Sequence, residues 1–311
     1  MPEEYRQDLH RRLRFVYQAL SKTTFLNQIL DQEWYDTISK EIEGADLRHP
    51  LQIDSALMFS ELDHPFRGVQ WFEEAQDLVM QGSVEQLDPD AKFLLACWGL
   101  DPLKTFLPIL DERLDSFAKL PFKPAEVSRK LRELHANRFD PEFRNHVFEL
   151  SVLGFFAMEG VLSDIEVPVG VGQGTVDGEI SIDGRPILVE VTFTSQELLP
   201  PGPGVYFGDP KHLVNQVVLK IRRKVAEGRQ LALARGIPSL LFVGRNHLGA
   251  DEVASRWGVK TCFDDPDFAK LSGVVVSDTW KFLRTQFYLA PQPDTLLSER
   301  EIETLRRWFD T

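Results

Sequence analysis

The sequence predicts a mixed α/β domain behind an all-α segment, and three observations carry that prediction. Residues 1–120 hold only helical spacings of apolar side chains, interrupted by polar breaks. From about residue 138 to 244 the pattern changes to helix, three strands, helix, strand. Within that series Asp183-Gly184, flanked by alternating apolar residues on one side and a β-branched run on the other, is a strong hairpin-turn signal. A chain of 311 residues suits one large or two modest domains, and 43% hydrophobic content is ample for a core. The proline-containing stretch Leu120-Pro121-Phe122-Lys123-Pro124 reads as the connector, which gives a helical domain over 1–120 and an α/β domain over 121–311.

In the first part, Leu9, Leu13, Val16 and Leu20 recur at helical spacing, as do Trp71, Ala75, Leu78 and Val79. Asp88-Pro89 reads as cap and first turn for Phe93 to Trp98. Trp34, Trp71 and Trp98 read as core aromatics, because no cluster of catalytic residue types accompanies them. In the second part, Asp140-Pro141 starts a helix that stops near Gly160. Ile165 to Val169 reads as a strand, followed by hairpin strands over 176–182 and 187–193. A loop rich in Pro and Gly, Pro200 to Gly208, leads to Asp209-Pro210 and a basic helix ending near Arg235, with Gly236 beyond it. Ser239 to Val243 and Gly273 to Val276 read as buried strands.

The net charge is -13, which argues against a uniformly basic nucleic-acid binder. The acidity is uneven, with a net of -10 in residues 1–120 and -3 in the remainder. Lys211 to Arg235 carries seven basic side chains against one acid, Glu227, and a local patch matters more to phosphate binding than the whole-chain sum. An ordinary solvated helix face gives the same composition. The two cysteines, Cys97 and Cys262, lack zinc-site spacing and fit a reducing compartment. No apolar run is long enough to span a membrane, and Met1 to Arg14 has no signal-like core, so a cytoplasmic location is expected.

The chemistry concentrates on the hairpin. Side chains two apart share a strand face, so Glu190 and Thr192 point one way while Val189, Val191 and Phe193 point the other. A carboxylate inside an apolar strand is costly to bury without a cation or hydrogen bonds. Asp177 on the partner strand brings a second carboxylate, and paired carboxylates suit a hard divalent cation such as Mg²⁺. Glu149 is the only ionisable side chain between Val147 and Met158, with Val152, Leu153 and Phe156 on its helical stripe. Its plain alternative is an exposed position paired with His146. His146 and His212 read as hydrogen-bonded or surface residues, and Gly170 to Gly174 as a turn between strands with no helix N-terminus to cradle phosphate.

With Asp177 on one strand and Glu190 on the next, the chain resembles the PD-(D/E)XK nuclease superfamily, the restriction-endonuclease-like phosphodiesterases. The resemblance covers about residues 138–244 and implies an αβββαβ core. It departs at two positions: Thr192 stands where the motif lysine belongs, and Val176 replaces the proline. What the resemblance implies is Mg²⁺- or Mn²⁺-dependent phosphodiester hydrolysis, on DNA in preference to RNA. Asp177, Glu190 and Glu149 would then hold the metal. The missing cation would come from Lys224 or Lys220 on the following helix, as in some members of the superfamily, with Gln216, Arg222 and Arg223 binding nucleic acid. Gln216, Lys220 and Lys224 lie four apart on one stripe, beside the apolar Val217, Ile221 and Val225. Loss of the lysine equally permits an inactive nuclease-like fold that binds nucleic acid or protein, and a closed pocket would favour small phosphorylated substrates. A homodimer is left open.

Overall fold

A computed structural model describes residues 3–44, 86, 107–136, 142–169, 174–193, 236–244, 251–277, 282 and 285–310, with 215, 218, 219, 221, 222, 224 and 225. Several positions singled out above lie outside the described residues: Trp71, Trp98, Cys97, the helix start at Asp140-Pro141, most of the Gly170 loop, the stretch 194–214 with His212, and Gln216, Lys220, Arg223 and Arg235. The chain divides into two compact units, one of Met1–Asp115, Leu131–Arg144 and Glu197–Tyr206, the other of Ser116–Lys130, Asn145–Gln196 and Phe207–Thr311.

The first unit contains α1 (Glu3–Leu20), α2 (Leu26–Ile29), α3 (Gln32–Gly44) and most of α4 (Leu107–Ala118). The periodic Leu13, Val16 and Leu20 of α1 are buried, as are Trp34, Ile38 and Ile42 of α3, and Tyr17 and Tyr35 pack with centroids 4.8 Å apart. Asp111 of α4 accepts from the amides of Thr24, Phe25 and Leu26 at 2.9, 2.8 and 2.6 Å, so a distant carboxylate serves the free N–H groups at the start of α2.

The second unit is built on a six-stranded mixed sheet in the order β1-β2-β3-β4-β5-β6. The strands are β1 (Leu162–Pro168), β2 (Thr175–Ile182), β3 (Arg185–Phe193), β4 (Ser239–Gly244), β5 (Gly273–Ser277) and β6 (Thr285–Leu289). The β1–β2, β2–β3 and β5–β6 pairs are antiparallel, while β3–β4 and β4–β5 are parallel. Asp183 and Gly184 form the turn with φ of 53° and 78°, the left-handed pair that a two-residue hairpin demands. The first strand begins at Leu162, three residues ahead of its expected start, because an irregularity between Leu162 and Asp164 breaks the alternation that marks a strand in sequence.

Helices cover both faces. On one side lies α6 (Glu142–Met158), which follows α5 (Pro124–Ala136). Phe148 of α6 meets Phe193, and Phe156 meets Phe242, at 6.2 and 5.5 Å between centroids. A Cβ at Gly178 would come within 2.9 Å of Leu153, so this strand residue is small because the helix sits directly on it. On the other face Leu188, Leu241, Val243, Val274 and Val276 pack with Ile221 and Val225 of a helical segment, and with Val259 and Cys262 of α7 (Asp251–Phe263). Finally α8 (Glu299–Phe309) starts on a capping box formed by Ser298 and Glu301 and buries Leu305 and Phe309.

Candidate functional site

The sheet forks at the two carboxylates. The β2–β3 ladder runs from Ile182 opposite Arg185 to Gly178 opposite Val189 and ends there. Beyond that level β2 stays with β1 as far as Thr175 opposite Pro168, and β3 stays with β4 as far as Phe193 opposite Gly244. One further step of the register sets Asp177 across from Glu190. The Asp177 side chain fills the opening, and its Oδ2 accepts from the Val191 amide at 2.7 Å. A carboxylate thus replaces the carbonyl that a continuing strand would have offered.

Glu190 is fully buried, because β3 is covered on both faces. It lies two residues from Leu188, on the face toward the helical segment, and Lys224 of that segment donates to Glu190 Oε1 at 2.5 Å. Glu190 Oε2 accepts no hydrogen bond from the described residues. Burial raises the proton affinity of Glu190, Lys224 opposes the rise, and Glu149 adds to it. Asp177 is pushed well above the ordinary carboxylate range by burial, then by the charges of Glu190 and Glu149. The Lys224 ammonium is opposed by burial, but Glu190 and Asp177 outweigh that and raise its pKa. These mutual shifts are what like and unlike charges at close quarters produce.

A second lysine closes the other side. Lys130 of α5 is buried, forms an ion pair with Glu149, and lies 2.5 Å from Glu166 Oε1. Burial opposes its charge, yet Glu149 and Asp177 hold its pKa above the ordinary lysine value. Glu166 in turn meets Arg129 at 3.0 Å and the Thr175 hydroxyl at 3.1 Å, and Lys130 depresses its pKa against the effect of burial. His146 donates from Nε2 to the Lys130 carbonyl at 2.6 Å and sits 3.9 Å from Glu149 through Nδ1. Its neighbourhood to Glu149 is therefore real, within a network that Lys130 dominates.

The structure brings Asp177, Glu190, Glu149 and Lys224 into one electrostatic cluster. Thr192, two residues beyond Glu190 on the same strand face, is buried. Arg222 stands apart from that cluster: it pairs with Asp265 at 3.3 Å and lies 6.0 Å from the Phe268 ring. Lys130 and Glu166 are the members that sequence patterning missed. Among the described residues no group of three or more His, Cys, Asp or Glu is gathered in a form that could hold a metal ion. The donors that are present fit a hard cation in kind, since Asp177 and Glu190 offer only oxygen and Glu190 Oε2 is orphaned. Among the described residues, no helix is long and apolar enough to cross a membrane. Set against known proteins, the chain matches no family model, no curated protein and no solved structure.

Proposed function

We propose that the chain is a metal-dependent nuclease that hydrolyses phosphodiester bonds of nucleic acid, DNA in preference to RNA, with a PD-(D/E)XK-like core. The observation that carries this reading is the Lys224 ammonium on Glu190 Oε1, beside Asp177 at the fork of the sheet. It supplies from the following helix the positive charge that Thr192 lacks. The order α6, β1, β2, β3, helical segment, β4, with β3 and β4 parallel, supports the same reading.

Asp177 and Glu190 would hold Mg²⁺ or Mn²⁺, which when bound supplies a water of lowered pKa and a Lewis acid. The chain's own groups do the rest. The Val191 amide fixes the Asp177 carboxylate, and burial on both faces fixes Glu190. Lys224 both compensates Glu190 and offers a charge for the phosphate as negative charge builds on it. The test is nicking of plasmid and single-stranded DNA with Mg²⁺ or Mn²⁺, using Glu190→Ala as control. Metal-dependent cleavage lost in Glu190→Ala is expected, and wild-type protein inert toward every nucleic acid offered overturns the reading.

A second reading is a nuclease-like fold that binds nucleic acid or protein without cutting. It is favoured by the ion pairing of Glu149 and Glu190 with lysines, which leaves the carboxylates compensated without a metal. Binding of DNA with no cleavage in either metal would select it.

A further inference from the structure

Lys130 is the group in this cluster whose role the nuclease reading leaves unassigned. It is buried at 3% exposure and touches two carboxylates from different elements, Glu149 on α6 and Glu166 on β1. Glu166 falls between the pairs Ile165–Gly178 and Val167–Val176, at the level of Asp177. Its backbone has φ of 47°, a conformation that glutamate rarely adopts and that persists only where surrounding contacts enforce it. Those contacts include Lys130, Arg129 and Thr175 on the side chain and Lys123 Nζ, which donates to the Ile165 and Glu166 carbonyls at 2.5 and 3.2 Å. The His146 ring also grips the Lys130 carbonyl, so both the backbone and the ammonium of Lys130 are fixed. Glu166, Asp177 and Glu190 thus sit on three successive strands, with Lys130 at one end and Lys224 at the other.

We infer that Lys130 is a positioning residue that acts as a built-in cation: it commits Glu149 and Glu166 to itself and leaves Asp177, together with the Oε2 of Glu190 that Lys224 does not hold, to bind a single divalent ion. This rests on the metal-dependent reading above and sharpens it, since Glu149 then serves the lysine and not the metal. Two adjacent divalent ions would need the carboxylate that Lys130 already holds.

The experiment is direct Mn²⁺ binding to the full chain, followed by electron paramagnetic resonance of free Mn²⁺, with Glu190→Gln as the blank. Wild-type protein should bind one Mn²⁺ more than the blank. Glu149→Gln should leave that affinity within about three-fold, because Glu149 bonds to Lys130 and to neither carboxylate proposed to hold the ion, and so is not one of the outer-shell partners whose loss costs about 10–100-fold. Lys130→Met should tighten Mn²⁺ binding by on the order of ten-fold, or admit a second ion, because a fixed positive charge has gone and a carboxylate is freed. Lys130→Arg should behave as wild type. A purely structural lysine predicts the opposite, weaker binding in Lys130→Met with the fold intact by circular dichroism. That result overturns the inference, as does a ten-fold loss in Glu149→Gln or two ions on the wild type. If Lys130→Met does not fold, Glu149→Gln decides the matter alone. A wild type that binds no Mn²⁺ beyond the blank sinks the metal-dependent reading itself, and this one with it.

Discussion

Asp177 Oδ2 and the Val191 amide, 2.7 Å apart, tie a side chain of β2 to the backbone of β3 just past their last ladder pair. The same oxygen set that suits a cation therefore also completes the sheet. Asp177→Ala should leave the Val191 N–H without its acceptor and cost about 1–3 kcal/mol in urea unfolding. Asp177→Asn keeps an acceptor and should show none of that loss while still abolishing metal-dependent cleavage. Equal destabilisation by both substitutions would show that the hydrogen bond contributes nothing to the fold.

The pH dependence of stability has a definite sign. Asp177 has a raised pKa in the folded chain, so its contribution is fully present below the ordinary aspartate value of 3.8 and is lost as pH rises through the elevated folded value. Ionised Asp177 thus lowers stability above that window. Thermal unfolding without divalent ions should show Asp177→Asn more stable than wild type at pH 7, with the gap closing below pH 4. A gap that stays constant with pH would contradict the raised pKa.

Lys224→Ala should cut the cleavage rate by about 10²–10³ while DNA binding in Ca²⁺ changes far less, as expected of a charge that counts most in the transition state. Thr192→Lys in that background should recover part of the rate, because residue 192 shares a face with Glu190. Wild-type cleavage by Lys224→Ala would end the substitution of one lysine for the other.

Arg222 is half committed to Asp265 and Phe268, which makes its part in DNA binding a separate question. If it also meets a phosphate, Arg222→Gln should reduce the salt slope of duplex binding by about 0.9. Asp265→Asn removes the ion pair and should leave that slope intact. Identical effects from both would mean that Arg222 only docks its helix onto the 3₁₀ turn at Pro266–Phe268.

Cys262 is buried, and that burial pushes its thiol up to about 12. In a Cys97→Ser background, alkylation at pH 8 should be negligible until denaturant unfolds the sheet, since only the thiolate reacts. Rapid labelling of folded protein would show that α7 opens locally.

Much of this site is visible in the sequence because local rules govern it. Asp183-Gly184 fixes the hairpin, the hairpin fixes the register of Asp177 against Glu190, and helical spacing puts Lys224 beside the docking residues Ile221 and Val225. Lys130 is invisible for an equally physical reason. It sits in a helix with Arg129, Arg132 and Glu133, where charge is the norm and no apolar setting marks one base from another. Its partners lie 19 and 36 positions away, joined only by tertiary packing. The sixth strand and α8 lie beyond residues 138–244, where the sequence pattern is regular, although Ser298 and Glu301 spell a readable capping box.

The hairpin is anchored at both ends. Its closed end is gripped by α8, where Arg300 meets Asp183 at 3.1 Å and the buried Glu301 holds Arg185 at 3.1 Å. Its open end is the fork that bears Asp177 and Glu190, spanned by one side-chain hydrogen bond. A ladder of consecutive pairs from Ile182–Arg185 to Gly178–Val189 joins that anchored end to the fork, so the two carboxylates hang on the same hairpin that α8 pins at its far end.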